Sequence, residues 1–115
     1  MASEPLDFGD VVLVRFPFIN KVSSKQRPAV VVSSRSYQIF RPDLVIMAIT
    51  SQLRDMAGFG EVWIEDWQRA SRLKPSAVKP VFATIEQSLV SKSLGRLQTA
   101  DLVRLRKTVS VILGS

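Results

Sequence analysis

The chain contains no cysteine and no histidine. Without cysteine there are no disulfides, thiol nucleophiles or thiolate metal sites, and without histidine the commonest metal ligand and the usual neutral-pH acid and base are missing. The ten carboxylates are scattered along the sequence, and none falls in a metal-loop spacing such as D-x-D-x-D-G, so no metal site and no cofactor are expected. Gly58-x-Gly60 is followed by no lysine-serine pair, which leaves a hairpin turn as its reading in place of a phosphate loop. The start MASEPLDFGD has neither a basic region nor an apolar stretch of signal-peptide type, and no apolar run approaches the roughly 20 residues of a membrane span. Together with the missing cysteines, this makes a cytoplasmic protein with no membrane association the expectation.

What is present is a 115-residue chain, about the size of one domain, with 46% hydrophobic and 23% charged residues, a composition that folds around an ordinary core. One domain spanning 1–115 is expected. Sixteen Lys and Arg stand against ten Asp and Glu, a net charge of +6, which favours an anionic partner.

Patterning along the chain is dominated by strands. Asp10–Phe16 is rich in β-branched residues and predicts a first strand; 17–26 reads as a loop; Ala29–Ser33 predicts a second strand. Ser34–Asp43 reads as a turn-rich excursion. Leu44–Ser51 predicts a third strand whose continuous apolar character implies burial on both faces. A turn over 56–60 leads to a short strand, Glu61–Ile64, and Glu65–Ser71, acidic first and basic late, predicts a short helix. Ala77–Lys79 and Val81–Ile85 are strand material, with Pro80 demanding an edge or a bulge between them. Thr99 is the expected N-cap of a last helix, in which Leu102, Leu105, Val109, Ile112 and Leu113 share one stripe. This describes a mainly β (α+β) domain with a C-terminal amphipathic helix packed on the sheet.

Two clusters could carry chemistry. Arg27 precedes Pro28 at the mouth of the second strand. The proline ring drives the preceding residue out of the α region, which sets the direction in which the arginine leaves the backbone. A guanidinium presents two parallel donors to a phosphate and keeps its charge at any physiological pH, so it suits a site where negative charge develops. Thr50-Ser51-Gln52 ends the longest apolar strand with two hydroxyls and an amide; such groups contact phosphate oxygens or base edges, and equally often close a strand by bonding nearby backbone.

Four motifs in order extend this reading. They are Gly9-Asp10-Val11-Val12 with Arg15-Phe16-Pro17, then Gln26-Arg27-Pro28-Ala29-Val30-Val31-Val32-Ser33, then Ala48-Ile49-Thr50-Ser51-Gln52, and late Leu94-Gly95-Arg96-Leu97. With them the chain resembles the MazF/PemK family of type II toxins from about Phe8 to Gly114. The resemblance implies a small Src-homology-3-like barrel that forms a homodimer. It also implies a ribosome-independent endoribonuclease that cleaves single-stranded mRNA and is silenced by a cognate acidic antitoxin, and with no metal-ligand spacing in the sequence the cleavage is expected to be metal-independent. On that pattern Arg27 and Thr50 are the catalytic pair, with Ser51 and Gln52 beside them contacting RNA. Lys21 and Lys25 of the first loop are further candidates for RNA contact. Many relatives carry an acidic or glutamine side chain after the Val-Arg of the later strand, where this sequence has Val78-Lys79-Pro80, and Lys79 there can contact phosphate. Two rival readings fit the same composition: a barrel that binds nucleic acid without cutting it, and one that inhibits a protein target such as gyrase.

Overall fold

The computed structural model describes residues 6–15, 26–53, 57–70 and 74–114. Six strands and two α-helices follow in the order β1 (Asp10–Arg15), β2 (Gln26–Val31), α1 (Arg35–Phe40), β3 (Asp43–Thr50), β4 (Val62–Ile64), β5 (Ser76–Glu86), β6 (Val90–Arg96) and α2 (Thr99–Ile112). The strands form one antiparallel sheet in the order β4-β5-β3-β2-β1-β6. It curls as a half-barrel, with β4 and β6 at its two ends. None of the described helices is long and apolar enough to cross a membrane.

Strand alternation divides the apolar residues between two cores. Val11, Val30, Met47, Ile49 and Val78 face α2 and pack with its buried Leu105. Their neighbours Val12, Val14, Ala29, Val31, Leu44 and Ile46 face the other way and form a second cluster with Ile85. The continuous apolar run of β3 therefore buries both of its faces, as its composition requires.

Several elements differ from their sequence patterns. β2 begins at Gln26 rather than Ala29, so Arg27 and Pro28 belong to the ladder, paired with Val14 and Leu13 of β1. Within 34–43, read as turns, the chain forms α1. Ser34 Oγ accepts the Tyr37 N–H at 3.1 Å as an N-cap. The buried Gln38 side chain joins Ser33 Oγ to the Leu6 carbonyl, tying the helix to distant chain. Glu65–Ala70, read as helix, is a run of turns. So short a segment cannot nucleate a helix alone, and its first amides are held from outside, Glu65 N–H and Asp66 N–H donating to the Asp101 carboxylate at 3.0 and 3.1 Å. In α2 the N-cap is Gln98 and Thr99 is the first helical residue. Leu102, Leu105, Val109 and Ile112 face the core, whereas Leu113 is 67% exposed. β6 carries Ser91, Lys92 and Ser93 and has little of the β-branched signature by which strands are found.

The Gly58-x-Gly60 segment is the turn its composition indicates, with Glu61 N–H donating to the Gly58 carbonyl at 3.0 Å and Gly60 at φ +84°. Pro80 also behaves as patterned. Ile49 pairs with Val78 and Met47 with Phe82, so Lys79, Pro80 and Val81 together face Ala48 across a bulge. β4 pairs only with Ser76, Ala77 and Val78, which leaves β5 without a partner on that side where the proline lacks its N–H.

Candidate nucleic-acid interface

Along the second face of the sheet, three neighbouring strands change from apolar to polar in the same direction. β2 runs Val31, Ala29, Arg27; β3 runs Ile46, Ala48, Thr50; β5 runs Ile85, Ala83, Val81, Lys79. The large apolar side chains fill the second core, the alanines leave space beyond it, and the polar residues ring the far end. The result is an open hollow of roughly 390 Å³ whose lining includes Arg27, Ala48, Thr50, Gln52, Lys79 and Phe82.

Strand register brings the sequence-predicted pair together. The last β2–β3 pair is Ala29 with Ala48, and continuing that antiparallel register by two residues sets Arg27 across from Thr50 on the same face. Side chains placed this way stand about 5 Å apart at Cβ. Thr50 Oγ1 accepts the Gln52 N–H at 3.1 Å, so its hydroxyl closes the strand while its own O–H remains to donate into the hollow. Arg27 is exposed, and neither it nor Lys79 takes part in an ion pair among the described residues.

The other candidates divide. Gln52 and Lys79 line the hollow with Arg27 and Thr50. Ser51, half-buried at the end of β3, is not part of the lining. Lys21 and Lys25 lie outside the described residues. Sequence reasoning missed Pro28, Val81 and Phe82 as lining residues; the alternation of β5 alone would have placed Val81, but the bulge that brings this part of the strand to the site follows from pairing with β3.

Electrostatics favour an anionic occupant. Among the described residues the lining has two cations, a hydroxyl and an amide but no carboxylate, so a phosphate finds donors there. A larger depression of roughly 600 Å³ between β4 and α2 is lined by Glu61, Trp63, Glu65, Arg104 and Lys107 among others. Its arginine is already paired with Glu65 and Asp101, and its carboxylates repel a nucleic-acid backbone. It is larger than the hollow, but its charges disfavour a nucleic-acid strand. Among the described residues no group of His, Cys, Asp or Glu is arranged to hold a metal ion.

Comparison with known proteins agrees with this architecture. The structure is similar to a MazF crystal structure from Deinococcus radiodurans at 18% identity, covering 98% of this chain and 100% of that one, with a TM-score of 0.75. It is likewise similar to an endoribonuclease in complex with its cognate antitoxin from a mycobacterial species, at 16% identity over 95% of each chain with a TM-score of 0.76. MazF from a MazE–MazF complex of Deinococcus radiodurans matches at 19% identity over 96% of this chain and 98% of that one, with a TM-score of 0.76. At such identities these structures share the fold alone. No curated protein matches the sequence. The family model for the PemK-like, MazF-like toxin of type II toxin–antitoxin systems matches residues 7–113, nearly the whole chain. With that match, the chain belongs to the PemK-like, MazF-like family of type II toxin–antitoxin toxins.

Proposed function

We propose that this chain is a metal-independent endoribonuclease whose single 1–115 domain cleaves single-stranded mRNA at preferred sequences. The observation that carries the reading is the hollow itself, where Arg27, Thr50, Gln52 and Lys79 meet with no carboxylate among them. The RNA supplies its own nucleophile. Its 2′-OH attacks the adjacent phosphorus and loses its proton; the P–O5′ bond breaks, and O5′ leaves with a proton. The products are a 2′,3′-cyclic phosphate and a 5′-OH end.

In this reaction the protein's part is to orient and to stabilise. Arg27 sits with Thr50 where a phosphate can be held between two strands, and its forked donors neutralise the charge that grows on the phosphorane. Thr50 accepts the Gln52 backbone N–H on one lone pair and donates its O–H to a nonbridging oxygen. Gln52 and Lys79 hold the strand, the amide at a base edge and the lysine at a phosphate. Lys21, Lys25 and Ser51 are expected to contribute no more than binding.

An acidic, partly apolar antitoxin that competes with RNA for the hollow accounts for silencing, and a cytoplasmic homodimer is the working form. The excess of cations supports the first of these, as does the antitoxin bound to a structurally similar endoribonuclease.

The test is cleavage of a long single-stranded RNA by the purified protein in excess EDTA, with the 5′ ends mapped. Cutting should persist, DNA should be spared, and a 2′-deoxy sugar at the mapped site should abolish the reaction. Undiminished cutting of the deoxy-substituted strand overturns the mechanism. Arg27→Lys retains charge but loses the fork, and should slow single-turnover cleavage at saturating RNA by at least ~100-fold, the scale of one well-placed donor to a developing oxyanion. A wild-type rate would place Arg27 in a basic rim only.

A further inference from the structure

Two of the residues lining the hollow are cations that each immediately precede a proline, Arg27–Pro28 on β2 and Lys79–Pro80 on β5. β2 and β5 are the two neighbours of β3 in the sheet, so the two dipeptides flank β3 from opposite sides, Lys79–Pro80 level with Ala48 and Arg27 level with Thr50 on the continued β2–β3 register. In each, the proline holds the preceding residue in extended backbone and removes its own N–H from the ladder.

The second dipeptide is built differently from the first. Lys79, Pro80 and Val81 form the bulge facing Ala48. Lys79 and Val81 line the hollow, and by strand alternation Pro80 between them turns to the opposite face. There it borders the Gly60 turn and the end of α2: a Cβ built on Gly60 would lie 3.2 Å from Pro80 Cβ and 3.4 Å from Ile112 Cδ1. Gly60 at φ +84° is what allows that approach. Pro80, itself exposed, thus borders the Gly60 turn on one side of the sheet, and the lysine is presented on the other.

Resting on the reading of the hollow as the RNA site, we propose that Lys79–Pro80 is a second cation–proline clamp, in which Pro80 is the positioning residue that aims Lys79 at the RNA backbone. The β2 and β5 backbones are two strand spacings apart, about 10 Å, so Arg27 and Lys79 hold neighbouring phosphates of one strand on either side of β3. Pro80 itself touches no RNA.

A neutral residue that acts through a lysine has a distinctive signature. Each lysine–phosphate contact releases counterions, and losing one lowers the slope of log affinity against log salt by about 0.7 for a single strand. The probe is an oligonucleotide carrying the mapped cut sequence with a 2′-deoxy sugar at that site, bound to the whole protein and followed by fluorescence anisotropy over a salt series. Lys79→Ala should lower the slope by about 0.7, and Lys79→Arg should keep it. Pro80→Gly should lower it by a similar amount although it removes no charge, and should add nothing in the Lys79→Ala background. Pro80→Ala, which frees the backbone but keeps a Cβ, gives the same reading should the glycine variant fail to fold, with circular dichroism checking both.

An unchanged slope in both folded Pro80 variants overturns the positioning role, even if their thermal stability drops. An unchanged slope in Lys79→Ala overturns the clamp. Arg27→Ala separates the two levels: if its slope falls while that of Lys79→Ala does not, only the clamp is lost, and if neither moves, the hollow is not the RNA site and the proposal falls with it.

Discussion

Asp101 offers the sharpest test of how the fold is held. It lies in the first turn of α2 and is 1% exposed. Its two carboxylate oxygens accept the Glu65 and Asp66 N–H groups at 3.0 and 3.1 Å, and Oδ1 also pairs with the Arg104 guanidinium. Arg104 in turn donates to the Trp63 carbonyl at 3.0 Å. One carboxylate thereby docks the helix, the edge strand β4 and the turns that follow it. Asp101→Ala orphans two backbone donors and one cation. At about 1–3 kcal/mol for each unsatisfied group the ceiling is about 9 kcal/mol. Arg104 keeps the Trp63 carbonyl and Glu65 and is 38% exposed, so its share is small. The two backbone donors then leave about 2–6 kcal/mol. At about 2.1 cal/mol/K per residue, a chain of 115 residues loses about 4 °C in Tm per kcal/mol, so the drop should be about 8–24 °C. Asp101→Asn keeps one acceptor and should lose roughly half as much. Thermal unfolding followed by far-ultraviolet circular dichroism reads both. A shift below about 4 °C for Asp101→Ala, with the helix signal retained, would mean that water replaces the carboxylate at little cost and would refute the docking argument.

Three further outcomes are expected. Gly9 has φ +95°, and a Cβ built there would collide with Leu102 Cδ2, so Gly9→Ala combines backbone strain with a displaced core side chain and should cost about 2–3 kcal/mol in urea unfolding. Leu105→Ala in the core should cost about 2–5 kcal/mol by the same assay, whereas Leu113→Ala on the exposed end of α2 should stay within about 0.5 kcal/mol. An antitoxin that inhibits the protein should displace a fluorescent RNA bound to it, and displacement should weaken with the Arg27→Ala variant; RNA and inhibitor bound together at full affinity would exclude a shared surface.

Much of the site could be read from the sequence because its causes are local. A proline constrains only its neighbours, so Arg27–Pro28 announced an aimed arginine and Pro80 announced a break in β5, which the structure contains as the bulge at Lys79–Val81. Strand period likewise acts over a few residues, and the two-sided burial of β3 followed from its unbroken apolar run. α1, the turns at Glu65–Ala70 and β6 were not legible for the opposite reason: Gln38 is held by Leu6 and Glu65 by Asp101, partners 32 and 36 residues away.

By itself, then, the sequence determined most of the extended segments, which faces are apolar, the chemical types available to the site and the family to which the motif order points. Only the tertiary structure decided that β5 lies beside β3, so that Lys79 and Phe82 share a hollow with Arg27 and Thr50 while Ser51 stays out of it. Conformational preference is a property of adjacent residues, but strand order and register are settled by the total burial of two cores. That sum is taken over residues from the whole chain, and no single segment of the sequence records it.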